Sequence, residues 1–328
     1  MGDNQLRPCY SLFLHYMKTI QKKILFENCK AYLFLSPWII GLIVFIAYPV
    51  FATFYYSMTD YSILKEPRWI GFDNYNTMFF EDPFYWKSVW NTIYFTVFFV
   101  PLQMISALGL ALLLNSQIKG LGVYRTIFYL PQMMPIVAGT LLWYVILDPR
   151  FGLLNSMLEL VGIPKVGWLR SAVWSKPGII LMSIWGGCGY PMLIFLAGLK
   201  DIPEDLLEAS KIDGAGPFRR FYHVVIPLLT PTIFFNLVIT IITSFQVFTS
   251  AYIAGSDGGS ASTGSKFGPL DSLLMYMIHL YRSAFRYFEL GYASAMSVVM
   301  FLSLTALILI LLRSSSYWVY YQGSQEQK

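Results

Sequence analysis

Residues 199–231 read LKDIPEDLLEASKIDGAGPFRRFYHVVIPLLTP, a polar loop set between two long runs without a charge. Its own chemistry predicts two short helices joined by a tight turn. Pro203 followed by Glu204 and Asp205 suits a helix start, because proline presets φ in the first turn and acidic groups meet the positive end of the helix dipole. Leu206, Leu207, Ala209, Ser210 and Ile212 continue that helix. Asp213-Gly214 ends it, since glycine adopts the left-handed cap without a Cβ penalty. Gly216-Pro217 opens a second helix with Arg219, Arg220 and Phe221 in its first turns.

The runs on either side belong to a set of six. Lys30 to Asp60 encloses 29 residues with no Asp, Glu, Lys or Arg, and Lys87 to Lys119 encloses 31. Arg125 to Asp148 encloses 22, Lys176 to Lys200 encloses 23, Arg220 to Asp257 encloses 36, and Glu289 to Arg313 encloses 23. Each is long enough for a membrane helix of about 20 residues, and each is rich in the Leu, Ile, Val and Phe that favour insertion. The predicted spans lie near 32–56, 89–114, 126–147, 178–199, 225–251 and 291–312. The expected fold class is all-α, a polytopic membrane protein with six transmembrane helices.

Composition points the same way. Of 328 residues, 56% are hydrophobic, 18% aromatic and 12% charged, where a soluble domain carries about 25% charge. Too little polar surface exists to cover a soluble globule, and disorder is excluded by the same richness in apolar side chains. The net charge of +5 comes from basic residues scattered at segment ends, not from a stripe that would meet nucleic acid. Cys9, Cys29 and Cys188 form no C-x-x-C pair, and His15, His223 and His279 are isolated. Neither a disulfide framework nor a metal site is expected.

Six spans put both termini on one side. That side holds 1–30, 115–125, 200–223 and the tail from 313, with 13 basic and 8 acidic residues, whereas the other holds 10 of each. The basic excess assigns the termini, and with them the loop 199–231, to the cytoplasm. The chain divides into an N-terminal tail 1–30, a membrane domain 31–315 and a C-terminal tail 316–328. In the first tail, Phe13, Met17, Ile20 and Ile24 recur at helical spacing beside Lys18, Lys22 and Lys23. They suit a helix lying on the inner leaflet, or a frayed tail. The outer loops are 57–87, 148–176 and 252–290. Gly255 to Gly264 is expected to be mobile, and Leu273 to Phe288, carrying Arg282 and Arg286, is expected to form an amphipathic outer helix.

No Asp, Glu, Lys, Arg or His falls inside the six spans. Proton- and sodium-driven carriers bury such groups as coupling machinery, so an ion-coupled carrier is the weaker alternative. The string Gly259 to Lys266 resembles a phosphate loop, but its lysine is displaced and no strand precedes it; the motif needs both. If ATP drives this protein, another subunit binds it. In span four, Trp185-Gly186-Gly187-Cys188-Gly189-Tyr190-Pro191 combines three glycines with a proline. Such a segment kinks, and helix breaks line transport paths. In span five, Thr243-Ser244-Phe245-Gln246 places a large neutral amide near the middle. Aromatic faces with uncharged hydrogen-bonding groups suit a sugar. Helix packing uses the same residue types, with glycines admitting close approach and Ser or Gln bonding across.

The run Glu208-Ala209-Ser210, Asp213-Gly214-Ala215, Ile226-Pro227-Leu228 and Pro231 resembles the EAA loop of permease subunits of binding-protein-dependent ABC importers. Its D-G-A form is similar to the carbohydrate branch, with maltose-, lactose-, glycerol-phosphate- and alginate-type permeases. Ser210 stands where alanine is commoner. Gly71-Phe72-Asp73-Asn74-Tyr75, Tyr124-Arg125-Thr126 with Leu130-Pro131 and Pro135, Phe151-Gly152-Leu153-Leu154-Asn155, Tyr281 with Ala284-Phe285, and Gly291-Tyr292-Ala293-Ser294-Ala295 resemble further elements of that branch. Ser256-Asp257-Gly258-Gly259-Ser260 departs from its T-x-G-G-P. The resemblance covers about residues 30–315.

The resemblance implies a type I ABC importer fold with a cytoplasmic EAA coupling loop at 200–231. It implies a non-enzymatic subunit of the bacterial cytoplasmic (inner) membrane, embedded in the lipid bilayer and paired with a second homologous permease. A dimeric cytoplasmic ATPase would bind ATP and Mg, this chain holding no cofactor, and a periplasmic or extracellular solute-binding protein would deliver the substrate. Glu208, Ala209, Ser210, Asp213, Gly214 and Ala215 are then the ATPase-coupling residues, with Glu208 in polar contact at the joint and Gly214 permitting the turn. On their own chemistry, Glu208 is a solvated helix residue and Gly214 an ordinary cap. The sugar site of maltose-type permeases falls near Gly189, Tyr190, Met192, Ser244 and Gln246. The implied cargo is a neutral or acidic sugar or oligosaccharide; a glycerol-phosphate-like or polyamine solute is the alternative.

Overall fold

The computed structural model describes residues 30–63, 65–116, 119–256 and 267–320. The proposed inner-leaflet helix within 1–30, most of the glycine-serine stretch and the last eight residues lie outside them. In chain order, α1 (Lys30–Tyr56) leads into an antiparallel hairpin, β1 (Thr59–Ser62) and β2 (Lys65–Trp69). Then come α2 (Pro83–Leu114), α3 (Leu121–Met133), α4 (Ile136–Ile146) and α5 (Leu153–Leu160). They are followed by α6 (Ser175–Gly187), α7 (Gly189–Lys200) and α8 (Glu204–Ile212). Finally come α9 (Pro217–Gly255), α10 (Tyr276–Phe285) and α11 (Leu290–Trp318).

Among the described residues α1, α2, α9 and α11 are each long and apolar enough to cross a bilayer. The pairs α3 with α4 and α6 with α7 qualify only together, bent by 97° and 52°. Six spans stand if each bent pair is one span. The kink expected in the fourth span is there, whereas the continuous helix expected for the third is corrected. The reason is proline. Met134, next to Pro135, is forced into the extended region (ψ 140), as the residue before a proline usually is. In the fourth span Pro191 lacks an N–H and crowds the carbonyl four residues back, at Gly187. The break falls between them, at Cys188. The described residues are mostly helical, as the all-α expectation has it, with the addition of one two-stranded hairpin.

The helix α2 is the spine. Its 32 residues rise about 48 Å at 1.5 Å each, more than the hydrocarbon layer of about 30 Å. Asp82 caps its start by accepting from the Phe84 N–H at 2.8 Å. Phe95, Phe99 and Val100 of α2 join Ile179, Leu273 and Ile278 in one core. Further along, Ala107, Ala111 and Leu114 meet Met192, Phe195 and Leu229 in a second. Small residues let these helices approach: a Cβ on Gly198 would lie 2.4 Å from the Thr232 hydroxyl of α9. By contrast, none of the most apolar window of α1 is buried. An apolar face of that extent marks contact with lipid or another subunit.

Polar side chains tie the hairpin end together. Gly71 takes a φ of +64°, and Asn74 Nδ2 donates to the carbonyls of Ser57 and Thr59, both at 2.9 Å. Tyr75 donates to Ser57 Oγ, so the G-F-D-N-Y element is a clasp that seats the hairpin. Gly291 of α11 passes so close that a Cβ there would lie 2.0 Å from the Thr59 carbonyl. Asn155 plays the same part in the next loop, bonding both backbone groups of Val166 and accepting from Trp168 Nε1. His279 Nε2 of α10 sits 2.7 Å from Asp82 Oδ2, which also accepts from the Tyr292 hydroxyl of α11. Burial pulls the Asp82 carboxyl upward, but the hydrogen bonds and charge of His279 and the Tyr292 hydroxyl outweigh it and hold it down at about 2. The expected amphipathic helix is realised as α10. Its Arg282 is buried against the ring of Phe267, with Tyr287 beside it.

Candidate functional site

Three interruptions of the helical backbone face one cavity of about 410 Å³. Pro131 and Met134 border it from the break between α3 and α4, and Gly187 and Tyr190 from the break between α6 and α7. Gln246 and Phe248 border it from α9, where regular hydrogen bonding lapses at 246–248. Irregular backbone at membrane depth is tolerated where it lines a cavity. No lining residue is an Asp, Glu, Lys, Arg or His. Trp143 and Trp185 form an edge-to-face pair in the wall, centroids 5.8 Å apart. Gln103 of α2, only 2% exposed, lays its amide against Gly187, where a Cβ would meet Nε2 at 3.2 Å. Neither Gln103 Oε1 nor Trp143 Nε1 has a hydrogen-bond partner among the described residues. The arrangement can stack a ring and bond hydroxyls.

Of the residues expected along the path, Tyr190 and Gln246 line this cavity. The other three stand in helix contacts outside its lining. Gly189 abuts α3, where a Cβ would meet Tyr129 Cα at 3.1 Å. Met192 is fully buried in the second core. Ser244 donates to the Ile241 carbonyl at 2.7 Å, and its Oγ lies 3.0 Å from Thr96 Oγ1. The sequence reading passed over Gln103, Thr140, Trp143 and Thr240, all of which line the cavity. For Gln103 a signal existed: it is a large amide in the middle of a charge-free run, as Gln246 is.

At the other end of α7, the loop folds as its chemistry dictates. Ala215 N–H donates to the Ser210 carbonyl and Gly214 N–H to that of Lys211, each at 3.0 Å, with Gly214 at φ +75°. This pair of bonds is the Schellman ending of α8. Ser210 is turned inward, its hydroxyl bonded to the Leu207 carbonyl at 2.7 Å. Glu208, Ala209, Asp213 and Gly214 are exposed and Ala215 is half-buried. Ile212 and Phe218 are 87% and 81% exposed.

Apolar helices broken around one uncharged cavity, with a helix-turn-helix projecting at one end, define a transport protein of the membrane. Residues 103–319 match the family described as the binding-protein-dependent transport system inner membrane component, and the chain belongs to that family. It is 43% identical over 305 residues to the probable ABC transporter permease protein YesP of Bacillus subtilis, covering 92% of this chain and 94% of that one. It is 34% identical to the sulfoquinovosyl glycerol transport system permease protein SmoG of Agrobacterium fabrum, over 88% of this chain and 92% of the other. In fold it is similar to a chain of the solved bacterial ABC transporter involved in the import of the acidic polysaccharide alginate, with TM-score 0.74, 23% identity, and 92% and 98% of the two chains covered. The protein is a multi-pass permease subunit of a sugar-type ABC importer.

Proposed function

We propose that this chain and a second homologous permease enclose the path along which a sugar or oligosaccharide crosses the inner membrane. A solute-binding protein delivers the sugar on the hairpin side. A dimeric cytoplasmic ATPase, which binds the ATP and Mg that this chain does not, docks on residues 199–231. Both termini lie in the cytoplasm, a reading that the distribution of basic residues supports. The observation that carries the reading is the convergence of three backbone breaks on a cavity lined by aromatic rings and neutral amides and hydroxyls.

Tyr190 and Gln246 meet the sugar, and Gly189, Met192 and Ser244 hold the helices that present them. On the cytoplasmic side Glu208 and Ala209 face the ATPase with Ile212 and Phe218, Ser210 anchors α8, and Asp213, Gly214 and Ala215 keep the turn rigid. ATP binding then biases the two permeases between inward- and outward-facing arrangements. A polyamine fits the cavity less well than a sugar, since no carboxylate lines it.

Reconstitution tests this. The chain, its partner permease, the ATPase and the binding protein would be placed in proteoliposomes. Sugar uptake that requires ATP and the binding protein and persists with proton and sodium ionophores is expected. Uptake that collapses with the ionophores, or proceeds without ATP, would overturn the reading.

A further inference from the structure

We propose that Gln103 and Trp143 are ligands of the transported sugar, reading hydroxyls on an uncharged sugar unit. The inference rests on the sugar-permease reading above and deepens it by naming residues and ligand chemistry. Gln103 Oε1 is an acceptor and Trp143 Nε1–H a donor, and both are buried without partners in the wall of the same cavity. A buried polar atom without a partner bears its full desolvation penalty. A wall that served packing alone would do better with Leu and Phe in these places. Sugar hydroxyls both donate and accept, and so suit both kinds of orphaned group. Beside them the Trp143–Trp185 pair offers an aromatic surface, which suits the apolar face of a pyranose.

The charge of the ligand follows from the same wall. A carboxylate, sulfonate or phosphate in this cavity would be stripped of water with no cation in the lining to meet it. Burial of an unpaired ion is strongly unfavourable. The unit held against this chain is therefore neutral, and the sugar carries at least one such unit.

The test uses the complete importer in proteoliposomes. The probes are neutral disaccharides, their monodeoxy analogues, and digalacturonate, which is acidic on both units. Gln103→Leu should slow uptake of the transported sugar about ten-fold, the worth of one hydrogen bond made in an apolar site. It should leave the unfolding temperature of the assembly unchanged or raised, because it removes an orphaned polar group. Trp143→Phe keeps the ring and should slow uptake several-fold. One monodeoxy analogue should be slow on the unaltered importer and lose nothing further with Gln103→Leu, which a merely structural glutamine would not produce. Unchanged uptake in both variants would overturn the proposal, as would losses that track a fall in unfolding temperature. Preferential uptake of digalacturonate would overturn the neutral unit. An unaltered importer that moves none of these sugars would instead refute the sugar-permease reading, and the inference with it.

Discussion

The hairpin end and the helix-turn-helix end of the bundle both carry acidic residues, and Asp82, Asp148 and Asp271 of the first are used unlike any carboxylate of the second. At the hairpin end, Asp82 is held by His279 and Tyr292 and caps α2. Asp148 meets Arg170 at 3.7 Å and accepts from the Arg150 N–H. Asp271 meets Lys87 at 3.9 Å and accepts from the Phe267 N–H. At the other end, Glu204, Asp205, Glu208 and Asp213 are all exposed, and none takes part in an ion pair among the described residues. Those three carboxylates serve the hairpin end's own assembly, whereas Asp60, Glu66 and Asp73 there are exposed. The helix-turn-helix leaves its carboxylates, and Ile212 and Phe218, exposed.

Substitutions can break this contrast. Gly291→Val should have the largest effect on stability. It drives a side chain into the Thr59 carbonyl and pushes the hairpin off α11, lowering stability by about 3 kcal/mol, the upper range for overpacking. A thermal melt of the detergent-solubilised assembly checks it, and an unchanged melt would mean the hairpin is not seated on α11.

Asp82→Ala comes next. It strips His279 and Tyr292 of their shared acceptor, and bonds to a charged group are worth about 1.5–3 kcal/mol. Because the Asp82 carboxyl is lowered from 3.8 to about 2 in the folded protein, its contribution is complete above pH 3.8 and fades as pH falls through 2. The stability gap between the variant and the unaltered protein should therefore close on acidification from pH 4 to pH 2. A gap independent of pH over that window would assign the loss to packing.

Gly214→Ala should cost about 1 kcal/mol, the strain of a left-handed alanine, and should blunt ATP-coupled uptake because the loop loses its fixed turn. Glu208→Lys should move stability by no more than about 0.5 kcal/mol, as exposed substitutions do, yet abolish coupling between ATP hydrolysis and uptake. That last pair of outcomes sharpens the contrast most, since a residue tied only to a partner affects function without affecting the fold. Normal coupled uptake in Glu208→Lys would remove the loop from the ATPase joint.

Several features were legible because their causes are local. Gly214 ends α8 because glycine alone takes that φ without strain. The break in the fourth span was legible because Pro191 and three glycines share one turn and a half. The sharper break in the third span had an equally local cause in Pro135, but without a glycine cluster beside it the run reads as continuous. The hairpin was not legible, because TDYS and KEPRW show no apolar alternation. It exists because Asn74 and Gly291, far apart in sequence, close on Thr59 from two sides.

The sequence by itself determined the membrane class, the charge-free runs and the chemistry of the projecting loop, all properties of composition and of neighbours along the chain. Only the tertiary structure decided which polar groups reach the cavity. Successive residues of a helix point about 100° apart, so a segment names a neighbourhood and not a face. Gly189 and Met192, three residues apart, share the face that packs on α3 and the second core, whereas Tyr190, one step from Gly189, turns to the cavity. Gln103 joins it from α2, more than eighty residues away in the chain, because Gly187 leaves room for its amide.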